Sequence, residues 1–321
     1  MNSPSSSVLT AVLPVLAIVG TGFFLRKRGL VEASAQASMM RVVLWVLMPC
    51  LVLDRVPHNA ALNSGWLAMA APVAGFLSVV AGLLVAWYAA PLFGIQAGTP
   101  RRTFAYCTSI YNYGYVAIPL CQVLVGQDAV AVMLLFNAGI EVGIWTAGLM
   151  VLSGRLTREA WKKLVNPMTV GSILALALNK TGAAPHMPGW LCATFSTLGA
   201  CAIPLGILMV GMALPALLAG FSWRNEPRAA AGACLLRNGI IPVVMLAPVA
   251  AGKWAWLPEL PTPLGPILML QASMSAGIFS IVVVQHFNGD PRMALRVAIY
   301  SSLGAIVTLP LWLEILSAWL P

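Results

Sequence analysis

Ten predominantly apolar stretches follow one another along a chain of 321 residues, separated only by short polar breaks. A helix needs about 20 mostly apolar residues to cross a hydrocarbon core of roughly 30 Å, so a succession of such stretches predicts a polytopic bundle rather than a water-soluble core. Hydrophobic residues make up 60% of the chain and charged residues 8%, far below the roughly 25% charged of a soluble domain. A closed barrel would instead show ten-residue segments alternating apolar and polar, and no stretch alternates that way. Met1 to Ser7 carries no positive charge ahead of a first apolar run long enough to span, so the first helix is expected to be retained rather than cleaved as a signal peptide. The fold class expected is therefore an all-α polytopic membrane protein.

The spans read as 8–25, 38–53, 66–90, 103–125, 128–152, 166–180, 193–218, 229–250, 263–285 and 293–319. Basic residues test this count, because Lys and Arg concentrate in cytoplasmic loops. Fourteen fall on one side: Arg26, Lys27, Arg28, Arg41, Arg101, Arg102, Arg155, Arg158, Lys162, Lys163, Arg224, Arg228, Arg292 and Arg296. The other side holds three, Arg55, Lys180 and Lys253. This alternation puts both termini outside the cytoplasm of a bacterial inner membrane. It divides the chain into 1–152, a cytoplasmic link 153–165 and 166–321. The net charge of +9 is explained by these loops, which form no continuous stripe for nucleic acid. The six cysteines (Cys50, Cys107, Cys121, Cys192, Cys201 and Cys234) lie in or beside apolar runs without a CxxC, and read as packing residues.

Five spans in each half make the halves inverted relative to one another, a common construction in secondary transporters. Local marks accompany the repeat. The fourth and ninth spans end in Gly126-Gln127-Asp128 and Asn288-Gly289-Asp290, the second and seventh carry Pro49 and Pro204, and the first and sixth are read as beginning around Pro14 and Pro167.

Within the fourth span, Tyr111-Asn112-Tyr113-Gly114-Tyr115-Val116-Ala117-Ile118-Pro119 predicts a helix broken near mid-membrane. Pro119 lacks a backbone N–H and crowds the carbonyl four residues back, while Gly114 relaxes the chain. The backbone groups so freed must be met by protein, water or ligand, and the positive end of a half-helix suits a carboxylate. Asn112 offers a side-chain amide there, to a ligand or to freed backbone. Tyr111, Tyr113 and Tyr115 are either aromatic surfaces for a ligand or packing residues with locally bonded hydroxyls.

These residues resemble the auxin efflux carrier family, which includes plant auxin carriers and bacterial malate and malonate permeases. The resemblance runs through Leu13-Pro14 to Gly22, Arg26 to Leu30, Met48-Pro49-Cys50-Leu51, and Asn112 with Ile118-Pro119-Leu120. It continues in Asn166-Pro167, Ile203-Pro204-Leu205, Val210-Gly211-Met212-Ala213-Leu214 and Leu309-Pro310-Leu311-Trp312. It implies ten helices in two inverted repeats, with the fourth and ninth broken and crossing at the substrate site, as part of a transport domain that moves against a scaffold. It also implies a small organic acid as substrate, dicarboxylate or aromatic carboxylate. Asn112 matches the family asparagine at the crossing. The ninth span, Gln271 to Ser280, departs from the family at Ser275 and Ser280, where prolines are expected; Gly277 and the serine hydroxyls are the features that would permit a break there. Asn112, Tyr111, Tyr113, Gly114, Pro119, Ser275 and Gly277 are thus the expected substrate-binding residues.

Two ionisable residues lie deep in spans, Glu141 in the fifth and Arg237 in the eighth. At 1.5 Å per residue Glu141 lies about 20 Å from the outer side and Arg237 roughly 13 Å from the cytoplasmic side. These depths predict either an ion pair between helices or a proton-coupling carboxyl beside a cation. Sodium coupling would need a cluster of oxygen ligands, for which Asp128 and Asp290 are poorly placed. The sodium-coupled bile-acid type of symporter is nevertheless the nearest alternative, and a channel a more remote one. An enzyme is disfavoured: His58, His186 and His286 are scattered near span ends, and no GxSxG nucleophile occurs. No cofactor or metal is expected; the partners expected are lipid, the small acid and, as an open option, a second copy of the chain.

Overall fold

The computed structural model describes residues 4–155, 162–219, 227–253, 260 and 262–319. Arg158, Arg224 and the middle of the 153–165 link lie outside these. Among the described residues the regular structure is helical, with one isolated β-bridge joining Tyr111 to Ala276.

The first helix, α1, is Pro4–Lys27. The second, α2, spans Ala33–Arg55 through a π-helical turn at Val43–Leu47, and α3 is Gly65–Ala89. An interrupted pair follows, α4 (Thr99–Ser109) and α5 (Ala117–Leu124). Next, α6 covers Gln127–Ser153 with a π-helical turn at Ile144–Gly148. Beyond the link come α7 (Pro167–Thr181) and α8 (Gly189–Ala219). The helix α9 starts at Pro227–Leu235, widens into a π turn at Leu236–Ile240, and ends in Ile241–Lys253. A second interrupted pair is α10 (Leu264–Ala272) and α11 (Phe279–His286), and α12 is Pro291–Trp319. Among the described residues six helices, α2, α3, α6, α8, α9 and α12, are long and apolar enough on their own to cross a membrane.

The polar breaks act as caps. Ser64 Oγ accepts from Leu67 N–H at 3.3 Å, Asn166 Oδ1 from Thr169 N–H at 2.9 Å, and Asp290 Oδ1 from Arg292 and Met293 N–H. Pro14 does not mark a helix start: α1 begins ten residues earlier and runs through it, whereas Pro167 is the first residue of α7. The proposed likeness of those two prolines is therefore withdrawn.

The helices sort by packing into two groups. In one, α1 packs on α8, and α2 on both α7 and α8. In the other, α3 packs on α6, α9 on α12, α4 on α12 and α10 on α6. The α3–α6 interface is held close by small residues, since a Cβ on Gly139 would run into Pro72 O and one on Gly75 into Phe136 O. The outer face of α3 is apolar, with Met69, Val73, Leu77 and Leu84 at least half exposed. Trp66 and Tyr88, more than 70% exposed, bracket that strip about 33 Å apart at 1.5 Å per residue, the separation of two membrane interfaces. By contrast, α6 is enclosed on nearly every side. Glu141, on α6, belongs to the second group and is partly exposed.

Candidate functional site

The fourth expected span breaks between Ser109 and Ala117, and the ninth between Ala272 and Phe279. The two breaks meet. Asn112 N–H donates to Ser275 O at 2.9 Å, and Gly277 N–H donates to Ile110 O at 2.9 Å. This antiparallel bridge satisfies backbone groups that would otherwise lie bare in a membrane interior. Gly277 is required by the approach, because a Cβ there would come within 2.9 Å of Tyr111 O. The missing prolines at 275 and 280 do not prevent the break: Ser280 Oγ donates to Gly277 O at 2.7 Å, Ser273 Oγ to Leu270 O at 2.7 Å, and Ala276 N–H reaches Ser301 Oγ on α12 at 3.1 Å.

Pro119 lies past the break, in the first turn of α5, so it does not mark the point at which the span is interrupted. The break is centred on Tyr111 to Val116, and Gly114 O accepts from Ile118 N–H at 2.9 Å to start α5. Four chain ends thus face the crossing, the C-termini of α4 and α10 and the N-termini of α5 and α11. Asn112, Tyr113, Gly114 and Ser275 keep partial exposure there.

The three tyrosines have separate environments. Tyr111 is 1% exposed; its hydroxyl pairs with Ser78 Oγ at 2.7 Å, and the edge of its ring system meets Tyr113 at 6.5 Å between centroids. Its side chain is thus buried beside the crossing, with its hydroxyl engaged by protein. Tyr115 lies against the backbone at Gly206 of α8, with its hydroxyl 3.6 Å from Met40 Sδ on α2. Tyr113 donates its hydroxyl to Glu141 Oε1, and Trp145 Nε1 donates to Glu141 Oε2 at 2.9 Å.

Glu141 and Arg237 do not form the ion pair that their depths along the chain predicted. Glu141 is engaged by Tyr113 and Trp145, whereas Arg237, 0% exposed, turns to the other side of the crossing. Its Nε donates to Met274 O at 2.9 Å, and its Nη2 to Ala272 O at 2.8 Å and Gln271 O at 3.4 Å. Its guanidinium carbon stands 4.6 Å from the Tyr111 ring centroid. Residue counts along a span do not give the side of the helix a side chain faces, and here the π turn at Leu236–Ile240 resets the rotation of α9 at Arg237 itself.

Sequence reasoning missed a pair of neutral residues. Gln271 Nε2 donates to Asn137 Oδ1 at 2.9 Å and to Tyr113 O at 3.2 Å, and Asn137 Nδ2 donates to Tyr113 O at 3.0 Å. Asn137 is 1% and Gln271 0% exposed. Their signal was available: each is an uncharged amide inside an apolar run, four residues from Glu141 in one case and at the end of a half-helix in the other. Together they tie the two breaks through the Tyr113 carbonyl.

The arrangement brings four half-helix ends and two buried amides together inside the bundle. Among the described residues there is no group of three or more His, Cys, Asp or Glu placed to hold a metal ion. No curated protein matches the chain. A family model described as membrane transport protein matches residues 7–161 and again residues 155–313. Two matches that together run through almost the whole sequence show that the chain belongs to this membrane transport family, the auxin efflux carrier family.

Proposed function

We propose that the chain is a secondary transporter of a small organic anion, working by alternating access around the crossing of the two interrupted helices. One observation carries the reading: the reciprocal backbone bonds between Asn112 and Ser275 and between Gly277 and Ile110, which join two half-helix pairs taken from different halves of the chain. Such a crossing presents half-helix N-termini that favour a carboxylate. Asn112 and Ser275 line it as partly exposed residues, Gly277 allows the backbones to approach, Gly114 O takes the first bond of the half-helix α5, in whose first turn Pro119 lies, and Tyr111 and Tyr113 hold the break in shape. Glu141 is the candidate proton carrier, since it is the acidic group that Tyr113 links directly to the break.

In this reading ten crossings form two inverted halves, 1–152 and 166–321. The six autonomous spans are joined by α1, the 15-residue α7 and the two interrupted pairs. The packing supports inversion: α1 on α8 is the counterpart of α7 on α2, and α4 on α12 is the counterpart of α10 on α6. The group containing α1, α2, α7 and α8 is the scaffold, and the other moves. Both termini face away from the cytoplasm of a bacterial inner membrane, on the strength of the basic loops. The substrate is a dicarboxylate or an aromatic carboxylate.

Uptake of labelled malate into liposomes carrying the purified chain tests the carrier mechanism. A rate that saturates and is inhibited by unlabelled malonate or indole-3-acetate is expected. Single-channel currents, or a rate linear in concentration, would refute it.

A further inference from the structure

The last turn of a helix leaves carbonyls short of intrahelical partners, and at the C-terminal end of α10 these lie inside the bundle. The carbonyls of Gln271 and Ala272, and that of Met274 just past the helix end, converge on one group, the Arg237 guanidinium, although Gln271 O also accepts from Met274 N–H at 3.3 Å. In secondary transporters a carbonyl-lined half-helix C-terminus is a position where a coupling cation coordinates, because the end of the helix dipole is negative and unwound carbonyls can turn inward. Here a positive charge on a covalent tether lies in that position. The face of Tyr111, 4.6 Å away, supplies a further cation-attracting surface, and Tyr111 immediately precedes Asn112. Among the described residues Arg237 Nη1 is a buried donor without a protein acceptor, so the charge is not fully spent on the carbonyls. Ser78, which bonds Tyr111, and the Asn238–Ser301 O bond at 2.8 Å hold the surroundings of the arginine from α3 and α12.

We propose that Arg237 is a tethered cation, filling the carbonyl seat at the end of α10 that a mobile monovalent cation would otherwise take, and acting as a positioning residue for the crossing. Its functional consequence rests on the crossing being the transport site. The seat then carries permanent positive charge, needs no sodium, and keeps α10 terminated at Ala272 in every state in which the arginine stays bound.

The test uses the purified full chain in detergent, with sodium and guanidinium ions alone as probes. Unfolding midpoints are measured in sodium chloride and in choline chloride at equal ionic strength for wild type, Arg237→Lys and Arg237→Ala. Wild type should unfold at the same temperature in both salts. Arg237→Ala should unfold several degrees lower and recover, saturably, with low-millimolar guanidinium or with sodium but not choline, while Arg237→Lys keeps most of the stability and stays insensitive to sodium. A saturable sodium-selective stabilisation of wild type overturns the proposal, and so does an Arg237→Ala protein with neither a lowered midpoint nor a cation response. If the alanine variant gives no folded protein, the lysine variant decides: folded and insensitive to sodium supports the tethered cation, and stabilised by sodium refutes it. No arm contains an organic anion, so failure here leaves the carrier reading standing, and loss of the carrier reading leaves the cation seat standing.

Discussion

At Tyr113 the backbone and the side chain serve different partners: the carbonyl takes two amides, from Asn137 and Gln271, and the hydroxyl goes to Glu141. The second contact gives the carboxyl its access to the break. Replacing Glu141 by Gln keeps the shape but leaves one acceptor for two donors, Tyr113 and Trp145, and removes the titrating group. The pH dependence of malate uptake should then flatten; an unaltered profile would dismiss Glu141 as the proton carrier. Tyr111→Phe keeps the ring beside Arg237 and loses only the bond to Ser78, whose hydroxyl retains Gly75 O at 2.7 Å. Denaturant unfolding should show a loss of about 1 kcal/mol, with anion affinity unchanged because Tyr111 is buried; a tenfold weaker affinity would place its hydroxyl in the site. Asn112 was legible in the sequence because a polar residue beside Gly114 and ahead of Pro119 marks a break. The partners of Arg237 were not, because backbone carbonyls leave no residue-type signature.

Among the elements, proline turns out to be a poor guide to where helices stop. Pro14, Pro72, Pro204, Pro215, Pro248 and Pro310 all lie inside continuous helices, while α10 ends without one. At Pro242 the π turn widens α9, and the carbonyl four residues back, Asn238 O, accepts from Trp312 Nε1 at 2.8 Å, so the helix continues with its freed group satisfied. The breaks persist where another break supplies the missing bonds, and that pairing joins residues more than 160 positions apart, beyond the reach of local sequence patterns. Six of the expected spans, those at α2, α3, α6, α8, α9 and α12, were legible for the opposite reason, since a hydrophobic run long enough to cross a bilayer is a local property. Gly139→Val puts a side chain into the backbone of α3 at Pro72. It should cost at least about 1–3 kcal/mol and lower the yield of folded protein; unchanged stability would mean that α3 and α6 separate more easily than their packing indicates.

For the whole molecule, the proposed carrier cycle has the group of α1, α2, α7 and α8 stand still while the remaining helices slide against it. The contacts between groups are few and partly polar, as in Arg55 Nη1 to Gln127 Oε1 at 3.1 Å and Asn59 Nδ2 to Asp128 O at 2.8 Å. The orientation proposed for the bundle is checked by an impermeant thiol reagent on spheroplasts, in a background with Cys192, Cys201 and Cys234 replaced by Ala. His186→Cys should be labelled from outside, and Lys163→Cys only after permeabilisation; the reverse pattern would invert the topology. The central claim is that the paired breaks bind an organic anion, and it is tested most directly by thermal stabilisation of the purified protein, because selective binding raises apparent stability. Malate, malonate, succinate and indole-3-acetate would be compared at two pH values, with and without sodium, against a neutral solute, in wild type and Asn112→Ala. The account predicts a selective, saturable rise with at least one acid that weakens about tenfold or more in Asn112→Ala. An equal rise in the variant, or stabilisation by the neutral solute alone, would contradict it.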